Sequence, residues 1–119
     1  MTTHKIYMEH NNNEIKVSVG DLIIIELPEN PTTGYQWESV NLNSEILEEK
    51  QSVFSSSNTG VGAGGMKKFE FEVKAAQEEM INFQHVQKWS NDVFQNFTIK
   101  LLTRPSKAPL RVNENTERA

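Results

Sequence analysis

Apolar and polar residues alternate along much of this chain. Ile15, Val17 and Val19 are spaced by polar neighbours. Phe69, Phe71, Val73 and Ala75 alternate with Lys68, Glu70, Glu72 and Lys74, and Phe97, Ile99 and Leu101 repeat the pattern near the end. A period of two sends successive side chains to opposite faces of a strand, one onto a core and the other into water. Turn formers separate the runs: Asn11 to Asn13, Gly20-Asp21, residues 28–34, residues 55–65 and Ser90 to Asp92. The pattern predicts strands over residues 4–8, 14–19, 21–27, 35–40, 46–54, 65–76, 80–87 and 94–102. Short strands with turn signals at this spacing predict an all-β antiparallel sandwich or barrel. Leu22-Ile23-Ile24-Ile25 breaks the alternation and predicts a strand covered on both faces, or one crossing between sheets. Ile46 to Lys50 is taken as strand, although its Leu, Glu and Lys could equally start a short helix.

Length and charge narrow the picture. The chain has 119 residues and no cysteine. That suits one domain with one core, and it excludes a disulfide framework, a thiol nucleophile and cysteine-based metal sites. Residues 1–102 carry a net charge of −6 and residues 103–119 one of +2. An acidic domain argues against nucleic acid as a partner, because such binding runs on phosphate neutralisation. Residues 103–119 hold two prolines, no aromatic residue and no periodicity. They are expected to form a C-terminal tail outside a domain of residues 1–102. The first residues lack the apolar run of a secretory signal, and a four-residue aliphatic run cannot span a bilayer. The expectation is a soluble, cytoplasmic protein without a membrane partner, with a vesicular or lysosome-like compartment as the other possibility.

Three turn regions hold candidate chemistry. Asn30-Pro31-Thr32-Thr33-Gly34 combines a proline that fixes φ, a glycine that allows positive φ, and two stiff threonines at the tip. It is either an ordinary rigid turn or an element that enters a narrow cleft with little ordering cost. Residues 55–65 are almost all small. Gly60, Gly62 and Gly65 fit G-x-G-x-x-G formally, but no helix is expected after them to hold a pyrophosphate, which weakens the nucleotide reading and with it the best case for an enzyme. What remains is a linker, or a side-chain-poor loop that lies along a partner's groove. Gln87-Lys88-Trp89-Ser90-Asn91 sets a tryptophan in a polar turn, either as an interface anchor or as a cap on the sandwich.

Catalytic sets do not assemble. His4, His10 and His85 fall on separate predicted elements without helical spacing, so no zinc site is expected. Glu70 and Glu72 read as the solvated face of one strand rather than a glycosidase pair. No G-x-S-x-G elbow occurs. Asn96-Phe97-Thr98 fits the glycosylation sequon but sits in a predicted strand. No enzymatic activity, cofactor or metal is expected.

Over residues 4–102 the chain resembles the chagasin family of cysteine-protease inhibitors, its amoebic members in particular. The resemblance rests on Asn30-Pro31-Thr32-Thr33-Gly34-Tyr35-Gln36-Trp37, on Gly62-Ala63-Gly64-Gly65 followed by Phe69 to Ala76, and on Val19-Gly20-Asp21-Leu22 leading to Leu27-Pro28. The family's third loop carries Arg-Pro-Trp before the last strand. The matching residues here are Gln87-Lys88-Trp89, so only the tryptophan is kept; Arg104-Pro105 lies too late to take that place. The resemblance implies an immunoglobulin-like β-sandwich of about 7–8 strands with three loops at one end. It implies reversible, tight inhibition of papain-like cysteine proteases by a chain that is a monomer when free. Asn30, Pro31, Thr32, Thr33, Gly34 and Tyr35, then Gly62, Ala63, Gly64 and Gly65, and Lys88 with Trp89, would contact the enzyme. The alternative is an immunoglobulin-like adhesion or scaffold module with no protease target.

Overall fold

Eight strands form in the computed structural model, which describes residues 2–56 and 64–104. They are β1 (Thr3–Tyr7), β2 (Asn13–Ser18), β3 (Leu22–Glu29), β4 (Tyr35–Val40), β5 (Leu47–Ser56), β6 (Gly65–Val73), β7 (Glu79–Gln87) and β8 (Asp92–Arg104). One sheet has the order β1-β3-β6-β5 and the other β2-β8-β7-β4. Each strand runs opposite to the one before it in the chain. The β3–β4, β5–β6 and β7–β8 connections therefore emerge at the same end of the sandwich. Most pairings are antiparallel, as expected, but β1–β3 and β2–β8 are parallel. The reason is the count of reversals: β1 and β3 are separated by two turns, because β2 lies in the opposite sheet between them.

The alternation seen in the sequence becomes the core. Ile23, Ile25 and Leu27 from β3 and Phe69, Phe71 and Val73 from β6 face Ile81 and Phe83 from β7 and Phe97, Ile99 and Leu101 from β8, all fully or almost fully buried. Phe69 meets Phe83 across the sheets at 4.5 Å between ring centres. Burying side chains of this size stabilises by about 1.5–3 kcal/mol each. The aliphatic run of β3 stays within one sheet and does not cross. Its inner face is fully buried, while Leu22 and Ile24 on the outer face are only partly covered. Ile24 lies in register between Lys5 and Glu70, long side chains whose aliphatic stems suit that position.

Element ends differ from the sequence expectation for reasons of hydrogen bonding. β6 stops at Val73, not 76, because Val73 N–H donates to Asp21 O and Val73 O accepts from Gly20 N–H. Lys74 N–H is likewise taken by Ile46 O. The helix alternative at residues 46–50 does not form: Leu47 and Glu48 pair with Val73 and Glu72. β8 runs on through Thr103 and Arg104, which pair with Val17 and Ser18. The first two residues of the expected tail thus belong to the sheet, and residues 105–119 lie outside the described residues.

Candidate functional site

The β3–β4 connection, residues 30–34, crosses from one sheet to the other and is tied to itself. Asn30 Oδ1 accepts from the Thr32 N–H at 3.1 Å and the Thr32 hydroxyl at 2.7 Å. The Thr33 N–H and hydroxyl both donate to Asn30 O, at 3.1 and 2.8 Å. Thr33 Oγ1 in turn accepts from Tyr35 N–H at 3.3 Å. Pro31–Thr33 form one 3-10 turn, and Gly34 ends it at φ +83°, a conformation that favours glycine. Short polar side chains replacing backbone partners explain why this sequence makes a stiff turn. Thr32 and Thr33 remain exposed at the tip.

Beneath the turn, both feet are clamped. Glu29, the last residue of β3, points inward and is buried. Its Oε1 accepts from the Trp37 N–H at 2.8 Å, and the Trp37 indole N–H donates to Pro28 O at 2.8 Å. Trp37 stacks flat on His85, 4.5 Å between ring centres and 5° between planes. Neither ring nitrogen of the buried His85 has a well-formed hydrogen bond. Burial pushes the His85 pKa below its ordinary 6.5, outweighing the opposing pull of the Glu29 carboxylate and the Tyr35 backbone.

The other two connections flank this turn. Gly65 is in register with Glu29. A Cβ on Gly65 would fall 2.0 Å from Ser55 O, and one on Gly64 would fall 3.0 Å from Glu29 O. These two glycines thus let backbones approach where a side chain would block them. Gly62 and Ala63 lie outside the described residues. On the other side, Gln87 Nε2 donates to Thr33 O at 3.2 Å, while Gln87 Oε1 accepts from the Ser90 hydroxyl at 2.7 Å. Asn91 adopts φ +58° to complete the β7–β8 turn. The Trp89 ring lies over Gly34, where a Cβ would come within 2.0 Å of Cη2. Trp89 is nevertheless 75% exposed. The ring therefore rests on the leading turn with most of its surface in solvent, and is not folded into the sandwich as a buried cap.

Two expected contact residues have intramolecular work. Lys88 Nζ forms an ion pair with Glu38 of β4. The Tyr35 hydroxyl donates to Asp92 Oδ2, which raises the Tyr35 pKa above 10.0, with burial adding to it. Tyr35 thus joins the start of β4 to the start of β8. The three histidines do not converge: His4 pairs with Asp21 at 2.8 Å, His10 Nδ1 accepts from Tyr7 N–H, and His85 stacks on Trp37.

A family model, the chagasin family peptidase inhibitor I42, matches residues 16–101. The chain belongs to the chagasin family. It is accordingly a cysteine-protease inhibitor and not an enzyme, and the adhesion-module alternative is set aside. It is 34% identical over 108 residues to chagasin of Trypanosoma cruzi, covering 83% of this chain and 96% of that one. Its fold is similar to that of the cysteine protease inhibitor EhICP2 from Entamoeba histolytica, with TM-score 0.78 and 18% identity over 87% of this chain and 97% of that one. It is also similar to amebosin, with TM-score 0.69 and 23% identity over 85% and 97%. A third neighbour is PbICP-C, solved in complex with falcipain-2, with TM-score 0.58 and 14% identity over 88% and 92%.

Sequence reasoning did not single out Glu29 or Phe94, weighed His85 only as a metal ligand, and named Gln87 only as the start of the third loop. Glu29 and His85 continue the inward parity of Leu27 and Phe83, so a charged and a titratable residue at core positions was the available signal. The bond from Gln87 to Thr33 had no local signal, because its partner lies 54 residues away.

Proposed function

We propose that the chagasin-family inhibitor described here blocks papain-like cysteine proteases with the wedge formed by residues 30–35, Gly64-Gly65 and Trp89, the family's expected contacts at Gly62 and Ala63 completing the second loop. The observation that carries this is the joining of the β3–β4 and β7–β8 turns, with Trp89 resting on Gly34 and Gln87 bonded to Thr33, while Gly64 approaches Glu29 beside them. A wedge already held by its own hydrogen bonds loses little freedom when it docks. Thr32 and Thr33, small and exposed, form the leading edge that enters the cleft over the catalytic cysteine and histidine.

The same geometry accounts for resistance to cleavage. Residues 31–33 form a 3-10 turn, whereas a peptide in a protease groove is read as an extended strand. The inhibitor fills the cleft without offering a peptide bond in a reactive conformation. Trp89 adds a large rigid contact on one flank, and Gly64-Gly65 leave the backbone uncovered by side chains on the other. Inhibition is therefore reversible and competitive with substrate. Titration of purified protein against papain, read with a fluorogenic peptide, tests this: the expected result is complete competitive inhibition, and no inhibition at micromolar protein contradicts it.

A further inference from the structure

Phe94 lies out of phase with the inward residues Phe97, Ile99 and Leu101, so simple alternation sends it to the outer face of β8. The pairing with β7 changes that. Gln95 is in register with His85 and Val93 with Val86, which leaves Phe94 as an extra residue without a partner. This is a β-bulge, a device that re-aims a side chain. The Phe94 ring lies 5.7 Å from the Tyr35 ring and 5.9 Å from the His85 ring, centre to centre. It is also 69% exposed. The ring thus touches its own chain along one edge and leaves the rest to solvent.

Its surroundings say where that partner would sit. Phe94 is one wall of an open recess of about 510 Å³ at the mouth between the two sheets, with Tyr35, Thr33, Asn30 and Gly64 among the others. Trp89 lies over Gly34 and is not part of this recess. The recess is continuous with the leading turn, because Thr33 belongs to both. An enzyme surface that meets Thr33 therefore also covers the recess. Its exposed lining is mainly apolar, and the buried Glu29 carboxylate at its base is already engaged by the Trp37 N–H.

We infer that Phe94 is a specificity-determining residue of the inhibitory surface, and that the recess between it and Thr33 receives an apolar side chain from the rim of the target protease's cleft. This rests on the inhibitory reading above and adds to it a second aromatic contact, separate from Trp89. Targets with an apolar residue at that place on the rim are bound tightly, and targets with a carboxylate there are bound weakly, since it would lose its water facing the Glu29 carboxylate at the base of the recess.

The experiment compares wild type, Phe94→Ala and Phe94→Leu against papain and a second papain-like protease. It records inhibition constants, dissociation rates and melting temperatures. Phe94→Ala is expected to weaken inhibition of at least one enzyme by about tenfold or more, the scale of a truncated aromatic contact. The change should appear in dissociation rate, with the melting temperature within about 3 °C of wild type. Phe94→Leu should restore much of the affinity and alter the ratio between the two enzymes. Unchanged constants for Phe94→Ala on both enzymes overturn the inference, as does a loss that merely tracks a large fall in melting temperature, which would make Phe94 a support for its own chain. Wild type that inhibits neither enzyme overturns the inhibitory reading itself, and the inference with it.

Discussion

A buried carboxylate stands at each end of β3, and the two ends differ in what it supports. At the lower end Asp21 accepts from Ser18 N–H, Thr2 N–H and the His4 ring. Burial opposes its ionisation, but these hydrogen bonds outweigh it and lower its pKa. Around it, Gly20, Val73, Lys74 and Ile46 exchange backbone bonds and close the sandwich. At the upper end Glu29 clamps Trp37 and so fixes the feet of residues 30–34, but the core there stays open to a recess bordered by exposed Phe94. One end completes stability. The other gives up closure so that turns and aromatic rings can face a partner, the pattern expected where function draws on stability.

Variants that separate the two ends sharpen this contrast. The largest effect is expected from Thr32→Glu combined with Thr33→Glu. Charge and bulk at the leading edge should weaken inhibition by about 100-fold or more, within the range of central interface positions, while thermal unfolding changes little. A variant that unfolds instead would show that the turn holds the fold together. Next is Trp89→Ala, with a loss of about 2–4 kcal/mol in binding and little change in stability, since the ring is mostly in solvent. Inhibition assays paired with thermal scans check both.

At the lower end the effects should invert. Asp21→Ala leaves buried N–H groups without an acceptor and is expected to cost about 2 kcal/mol of stability in denaturant unfolding. Below the resulting transition the variant should still inhibit like wild type. Lost inhibition in a folded Asp21→Ala protein would break the division between the ends.

The smallest effect concerns pH. The folded chain holds the His85 pKa below 6.5, so the unfolded chain takes up this proton first as pH falls. Stability from the neutral ring is present above 6.5 and is lost progressively below it, levelling off under the folded pKa. Unfolding measured at pH 7.5 and pH 5 should show a smaller acid loss for His85→Phe than for wild type. Equal losses would mean that His85 titrates alike in both states.

The sandwich was legible in the sequence because its core obeys a period of two: Phe69, Phe71 and Val73 announce one inner face, and Phe97, Ile99 and Leu101 another. Strand ends were less legible, since β6 stops where Gly20 and Asp21 take its backbone groups, a fact held by a turn far away in the chain. The leading turn was recognisable through Pro31 and Gly34, and Trp89 through its polar setting. What stayed hidden was the joinery between them. Gln87 meets Thr33 only once β4 and β7 are paired, and Phe94 faces the recess only because a bulge interrupts register, which no local pattern encodes.

The central claim is that the upper end alone meets the enzyme. Backbone hydrogen exchange of this protein, free and bound to papain whose catalytic cysteine is replaced by alanine, tests it directly. Added protection is expected across residues 30–35 and 87–95, with Val19 to Leu22 unchanged. Protection at Val19 to Leu22, or none at residues 30–35 in a saturated complex, would contradict the account.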